Sequence, residues 1–527
     1  MSGIWKRFCW EDKFFLFYLA IAFFVFLYHL GLMPLLDDEP TRALVSLEMV
    51  LSGNYVVPTT HGLLYQNKPP LFNWFIAGLM QAFPHFNELT LRLPSMLVIL
   101  VTSCVLYLFF RKELNAKTAL LVSLAYLSCG RILFYDSMLG YIDPFFTLVL
   151  LLDMIVLYQL NKQKNPLWLF IASYLLCAVA YMLKGLPAIL YQGITLFVAL
   201  SISKKIPLLF SWKHFVAVFV FLASLALYYF IYAAQQDVSG LFATLWQQSS
   251  KRTVSEFTWA ESLGYIATFP FQFVMHFLPW TLFSFVLFYK NAVSYIKGNP
   301  LLLFLGVSFL ANISVYWISP ETKPRYLFVF LPPFFAVTFE LFFKLSSSAA
   351  VKIVNRAAIV LASLCAVAVL VPLFVPLLEQ MDLSLTVCLV SMVIILLLVD
   401  LMYQKPQRSL AMFALVLLSV RLVFNHFILP ARKQEAPESE YKSVGMKIGM
   451  LSKDVPIHLT PHTLIDHDLA YYISSTNRKI LGYDSSSIRE GTYYICSKEA
   501  LHEAGLSSEM EFRTNFQQAT LYLARKR

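Results

Sequence analysis

About thirteen apolar runs, each long enough to cross a bilayer, constrain this chain of 527 residues more than any other feature. They lie near 14–36, 91–110, 117–134, 144–160, 167–183, 186–203, 214–233, 263–289, 299–319, 326–344, 357–377, 384–403 and 409–429. Inside a bilayer only helices, or a closed barrel, satisfy every backbone group internally, and runs of this length are helical. The first run follows Lys6, Arg7 and Lys13 in the manner of a signal peptide. It is too long for that and no small-residue cleavage site follows, so it reads as an anchor. The expectation is a polytopic α-helical membrane protein.

Composition agrees. Hydrophobic residues make up 58% and charged residues only 14%, and mean hydropathy is +0.65. A soluble enzyme, a disordered protein and an ordinary nucleic-acid binder are all excluded. The net charge of +10 then reads as topology. In alternate gaps, starting at the N-terminus, eighteen lysines and arginines from Lys6 to Arg408 face only Glu11, Asp12 and Glu113. The positive-inside rule places those gaps in the cytoplasm, and thirteen spans place the C-terminus outside. Nine bases lie on the wrong side for that rule: Arg42, Lys68, Arg92, Arg131, Lys184, Lys251, Arg252, Lys323 and Arg325. Singly, each is explained by a neighbouring acid or a lipid headgroup. Together they predict an outward-facing pocket for an anion.

Two outer loops are long, 37–90 and 234–262. In the first, Leu44, Leu47 and Leu51 form a helical stripe, and Pro69 to Phe83 is apolar but too short to span. Both stretches read as interfacial helices. In the second, Trp246 and Trp259 suit the headgroup level. The domain boundary falls at 429/430. The last 98 residues hold thirteen Lys+Arg and twelve Asp+Glu and no spanning run. Alternation at Pro456–Thr460, Thr492–Cys496 and Ala519–Ala524 predicts strands, with helices at Ser439–Met450 and Lys498–Ala504. The expectation over 430–527 is a small extracytoplasmic α/β domain. Its one cysteine, Cys496, forms no internal disulfide.

Several motifs carry chemistry. Asp37, Asp38 and Glu39 are adjacent carboxylates at the end of the first span, where a helix cap needs only one. A carboxylate in a partly dry pocket is a general base. Lys68 precedes Pro69 and Pro70, which hold it at a rigid point with Tyr65 nearby; that suits a phosphate oxygen, or simply a snorkelling lysine. Asp143 before Pro144 reads as the N-cap of a span, with a catalytic or supporting role open, and Asp136 is a weaker competitor. Lys184-Gly185 forms a tight turn before Pro187. Lys323, Arg325 and Tyr326 introduce another span, and Lys251-Arg252 add two bases. His458, His462 and His467 do not have the spacing of a zinc helix, and no metal is expected there.

The ordered set resembles the GT-C membrane glycosyltransferases, and among them the aminoarabinose-to-lipid-A transferases and the wider protein mannosyltransferase-like family. It runs through Asp38-Glu39, Glu48-Met49, Ser52-Gly53, Val57-Pro58, Gly62, Tyr65, Lys68-Pro69, Arg92, Asp143-Pro144, Lys184-Gly185, Pro279-Trp280 and Lys323 to Tyr326. The resemblance implies a GT-C fold and transfer of a sugar from a polyprenyl-phosphate donor to lipid A, another glycolipid or protein at the outer face of a bacterial inner membrane. It implies Asp38, with Glu39 and Asp143, as the catalytic carboxylates. Donor-binding roles fall on Arg42, Tyr65, Lys68, Lys184, Lys251, Arg252, Lys323, Arg325 and Tyr326. No cofactor is implied, and a divalent metal is left open. Two positions depart from the lipid-A group: Thr41 stands where that group has an arginine, and Asn67 where it has a glutamate.

A lipid phosphate is already a fair leaving group, so one base and cations at the phosphate suffice for an inverting displacement. A glycosidase needs two flanking carboxylates instead. A flippase or transporter is the competing class, with an oligosaccharide ligase and a non-catalytic sensor behind it. Transporters place matched ionisable groups at mid-membrane. Here the deep candidates are Asp153, Glu340 and Arg421, which show no pairing in two halves.

Overall fold

The computed structural model describes residues 9–526 except 84–85, 164, 239, 241–242, 245–246, 248–257, 321, 376–382, 485–487 and 515–518. The longer helices are, in chain order, α1 (Trp10–Leu27), α2 (Glu39–Ser52), α3 (Leu71–Ala82), α4 (Glu88–Glu113), α5 (Ala116–Ser128), α6 (Asp143–Lys162), α7 (Pro166–Lys184), α8 (Pro187–Ile202), α9 (Trp212–Ala233), α10 (Trp259–His276), α11 (Pro300–Trp317), α12 (Leu331–Leu345), α13 (Ser348–Ala368), α14 (Ser384–Gln404), α15 (Ser409–Val423), α16 (Pro437–Leu451) and α17 (His467–Asn477). Among the described residues nine helices are long and apolar enough to cross a membrane. The bent pair Ala116–Ser128 and Gly130–Met138 makes a tenth. Three expected spans fall outside that count. α1 opens on Glu11, Asp12 and Lys13, α8 has only 16 residues, and the run 263–289 is split between α10 and a 3-10 helix at Trp280–Phe288.

The chain forms two compact units. The first comprises Met1–His29, Ser95–Leu227 and Phe242–Ala431, and the second Leu30–Pro94, Tyr228–Leu241 and Arg432–Arg527. The sequence boundary at 429/430 lies two residues from one of these breaks, and the first long loop groups with the C-terminal segment.

In the first unit the spans pack through aromatic and small polar contacts. Trp280 donates its indole N–H to Ser128 Oγ at 2.9 Å, and Asn312 bonds Thr195 Oγ1 at 3.0 Å. The deep ionisable groups each sit in their own surroundings. Glu340 accepts from Thr118 Oγ1 at 2.6 Å and Asn115 Nδ2 at 2.9 Å, while Asp153 is wholly buried. After α5 the path bends by 44° at Cys129-Gly130. A Cβ at Gly130 would stand 3.1 Å from the Leu278 carbonyl, to which the Gly130 N–H is bonded at 2.6 Å. A broken helix exposes carbonyls that lipid cannot satisfy. At the end of the short helix Gly130–Phe134 that follows, the buried Arg421 guanidinium donates to the Leu133 carbonyl and reaches Ser137 Oγ at 3.4 Å.

The second unit combines the first loop with an α/β layer. Arg42 through Met49 of α2 are all buried, so α2 is a core helix and not an interfacial one with a wet face. Gly53 ends it with φ +71. Asn73 of α3 pins the two helices, bonding the Arg42 carbonyl at 3.1 Å and Ser46 Oγ at 3.0 Å. α3 is one-sided, with Phe72 and Ile76 buried and Phe75 exposed. Between them β1 (Thr59–Thr60) and β2 (Leu63–Leu64) form a hairpin whose turn residues His61 and Gly62 both have positive φ.

The C-terminal sheet contains β3 (Ile457–Leu459), β4 (Tyr493–Cys496), β5 (Ser507–Arg513) and β6 (Thr520–Arg525) in the order β3-β4-β6-β5. β3 pairs parallel to β4 with Ile457 opposite Tyr493. β6 runs antiparallel to both β4 and β5. α16 and α17 pack against each other at glycines one turn apart. A Cβ at Gly445 would meet Tyr472 Cβ at 2.8 Å, and one at Gly449 would meet Thr476 Cβ at 2.6 Å and the Ile473 carbonyl at 2.9 Å.

Gly449→Ala is therefore expected to destabilise the protein by about 1–3 kcal/mol through overpacking, despite alanine's better helix propensity. At Gly78 of α3 no atom lies within 4 Å of the added Cβ. Gly78→Ala is expected to stabilise by up to about 1 kcal/mol. Thermal unfolding of the two purified variants reads both signs, and equal shifts would contradict the close helix contact.

Candidate active site

The carboxylates of the first loop have different surroundings. Asp37 is exposed with φ +54, Asp38 is half-buried at the N-cap of α2, and Glu39 is fully buried. Glu39 was expected among the catalytic acids, but its oxygens hold a guanidinium. Arg92 Nε donates to Oε1 and Nη2 to Oε2, each at 2.8 Å. The remaining Arg92 donors go to the carbonyls of Leu30 (3.1 Å), Met33 (2.9 Å) and Pro34 (2.6 Å). Five donors and five acceptors meet in a site only 1% exposed, so the fork is saturated. This is the geometry in which a buried charge pair is tolerated.

Beside Asp38 stand Arg42 and Tyr65. The Arg42 guanidinium lies 5.6 Å from the centre of the Tyr65 ring. Burial pushes the Tyr65 phenol above its usual value; Arg42 pulls it back and Asp38 pushes it further up. Among the described residues Arg42 Nη1 is buried with no hydrogen-bond partner, a donor held ready for an acceptor. Lys68 is half-buried three residues before α3, and Asn67 is exposed. The hairpin preceding them hangs on Glu48 of α2, which accepts from Thr59 Oγ1 (2.6 Å), His61 N (2.6 Å) and Gly62 N (3.2 Å). Burial pushes the Glu48 carboxyl up, against the pull of those donors.

In the first unit the expected residues gather around Asp143. It is the first residue of α6, and Ile142, not Asp143, occupies the cap position. Its carboxylate accepts from Lys184 Nζ at 2.5 Å, and Arg325 Nε lies 3.6 Å away. Lys184 closes α7, where Gly185 turns the chain with φ +82. The Lys184 ammonium lies 4.1 Å from the Tyr326 ring centre, and Arg325 lies 4.5 Å from that of Tyr141. Side-chain exposure is 8% for Lys184, 7% for Asp143 and 2% for Arg325. A buried ammonium and a buried guanidinium thus flank one carboxylate between aromatic rings. Asp136, the weaker competitor, is bound to Arg131 at 2.8 Å. Lys323 is exposed at the start of the 3-10 helix Pro324–Phe330. Lys251 and Arg252 lie outside the described residues.

Sequence reasoning did not find the histidine pair. His61 Nε2 and His467 Nδ1 are 3.0 Å apart, with the rings stacked at 5.2 Å. Burial, with His467 beside it, depresses His61 to about 4, and burial also lowers His467. Nothing in the spacing of residues 406 apart predicts this contact.

A family model described as dolichyl-phosphate-mannose-protein mannosyltransferase matches residues 67–240, about a third of the chain. An undecaprenyl phosphate-α-4-amino-4-deoxy-L-arabinose arabinosyl transferase of Proteus mirabilis is 30% identical over 169 residues, 30% of each chain. One of Pseudomonas fluorescens is 33% identical over 185 residues, 32% of this chain and 31% of that one. The chain thus matches less than a third of these relatives' length. Among solved structures, ArnT from Cupriavidus metallidurans bound to undecaprenyl phosphate superposes with a TM-score of 0.71 over 97% of both chains, at 17% identity. Its apo form gives 0.67.

A neutral buried histidine binds its proton only when unfolded. As pH falls from about 6.5 to about 4, the unfolded state takes up protons the folded state refuses, and stability is lost. The loss through His61 is on the order of 3 kcal/mol and is absent above pH 7. In His61→Gln, unfolding temperature is expected to depend less steeply on pH between 7 and 4 than in the wild type. Parallel curves would remove the histidine pair as the cause. The fold over nearly the whole chain is thus the GT-C fold in the form ArnT displays, carried by a sequence that resembles the aminoarabinose transferases.

Proposed function

We propose that the protein is a membrane glycosyltransferase that moves a sugar from a polyprenyl-phosphate donor to an acceptor hydroxyl. The observation that carries this reading is the buried Lys184–Asp143–Arg325 cluster, which sets an ammonium and a guanidinium side by side against aromatic rings, groups suited to a phosphate. The fold, shared with a protein solved with undecaprenyl phosphate bound, supports it. So does the sequence likeness to arabinosyl transferases. The acceptor is a glycolipid such as lipid A, or a protein. The membrane is a bacterial inner membrane, with the N-terminus inside and the C-terminal domain and reaction outside.

In the proposed step the acceptor oxygen forms a bond to the anomeric carbon as the bond from that carbon to the phosphate oxygen breaks. The bonding electrons leave with the polyprenyl phosphate, and the acceptor proton passes to Asp38. A single displacement inverts the anomeric centre. Lys184 and Arg325 oppose the charge gathering on the leaving phosphate, and Lys68, Tyr65 and the open Arg42 donor serve the same end. Tyr326 walls the cation at Lys184, Asp143 holds it in place, and Lys323, Lys251 and Arg252 complete the basic set. Glu39 holds Arg92 and so positions the loop instead of moving a proton.

Purified protein in detergent, given radiolabelled polyprenyl-phosphate sugar and a membrane lipid extract, is expected to release polyprenyl phosphate and label the extract. Asp38→Asn and Lys68→Ala are each expected to lower turnover at least about a hundredfold, with yield and unfolding temperature kept. Wild-type turnover in either variant overturns its assignment. Movement of the donor across vesicles without release of polyprenyl phosphate would make the protein a flippase instead.

A further inference from the structure

We propose that Tyr472 of the C-terminal domain is a positioning residue for the transfer, acting through the backbone of the loop that presents Asp38. The inference rests on the proposed function and adds to it a role for the C-terminal domain.

The phenol oxygen of Tyr472 stands between two groups of the first loop region. It accepts the Leu35 N–H at 2.9 Å and donates to Glu88 Oε1 at 2.8 Å. A carboxylate takes hydrogen bonds and an amide N–H gives one, so the direction of both is fixed. Lys442 of α16 reaches the same Glu88 oxygen at 2.6 Å. Leu35 is 1% exposed and lies three residues before Asp38. Arg92 holds this loop by its carbonyls and by Glu39; Tyr472 holds it by an amide. Between these ties Asp37 adopts a left-handed backbone at φ +54, a conformation that aspartate tolerates better than most side chains. Gly445 leaves the space that Tyr472 fills.

The adjacent residue supplies the contrast. Tyr471 is as deeply buried, yet among the described residues its hydroxyl has no partner. Of two neighbouring phenols, only that of Tyr472 ties the loop. Its removal leaves the Leu35 N–H buried and unpaired, which loosens the loop without touching the residues assigned to the donor.

The test compares Tyr472→Phe with Tyr471→Phe in the full-length protein, with hydrogen exchange at 35–38 and steady-state kinetics. Tyr472→Phe is expected to speed exchange at Leu35 and to lower kcat about tenfold, with KM for the donor within twofold of wild type. Tyr471→Phe is expected to change neither. Glu88→Gln, which keeps an acceptor for the phenol, is expected to fall between them. A general loss of stability would lower the unfolding temperature of both phenylalanine variants and would not single out kcat. The inference is overturned if Tyr472→Phe turns over at the wild-type rate, or if kcat falls while exchange at Leu35 is unchanged. Asp38→Asn in the same assay separates the two readings: if it keeps full turnover, the proposed function fails irrespective of Tyr472.

Discussion

A charge taken out of water must be matched by groups held within hydrogen-bond reach, and this requirement organises both units of the protein. Arg92 meets it completely, with every donor used on Glu39 and three carbonyls. Because those acceptors belong to the loop before α2 and to the first residue of α2, matching one guanidinium also fixes the course of the chain on either side of Asp38. Glu48 does the same from the acceptor side, gathering a hydroxyl and two amides and so hanging a hairpin on a helix. The cluster at Asp143 meets it by sharing, with one buried carboxylate set against the Lys184 ammonium and the Arg325 guanidinium.

Backbone groups in the spans obey the same requirement. The short helix Gly130–Phe134 that follows the bend ends on carbonyls without α-helical partners, and Arg421, whose charge would otherwise be very costly at that depth, donates to the one on Leu133. Its position within an apolar run invites a functional reading. The structure gives it a local one, since its acceptors lie at the end of the short helix Gly130–Phe134.

Much of this was legible in the sequence for a simple reason. Spanning helices are written in run length, and residues such as Lys184-Gly185 and Asp143-Pro144 stand at the ends of runs, where a boundary is recognisable, although the cap falls on Ile142 and not on Asp143. β3, β4 and β6 carried clean alternation. β5 did not, because Ser507–Arg513 is an edge strand whose glutamates and arginine protect it from further pairing and blur the pattern. α17 escaped notice because Tyr, Ile, Ser and Thr are poor helix formers and it is buried around nearly its whole circumference, so no polar face marks its period. The role of Glu39 was illegible too. Three adjacent acids look equivalent until the guanidinium that selects one of them is located, and Arg92 lies 53 residues away.

The bond from Leu35 to Tyr472 joins residues 437 positions apart. A ribosome adding about 5–20 residues per second needs roughly 20–90 s to make the second after the first. During that interval Glu88 and the Leu35 amide lack the phenol they share. Synthesis itself thus imposes an order on maturation. The loop that presents Asp38 reaches its final form only after the last domain has been made and folded, so an unfinished chain in the membrane carries the spans without the completed loop.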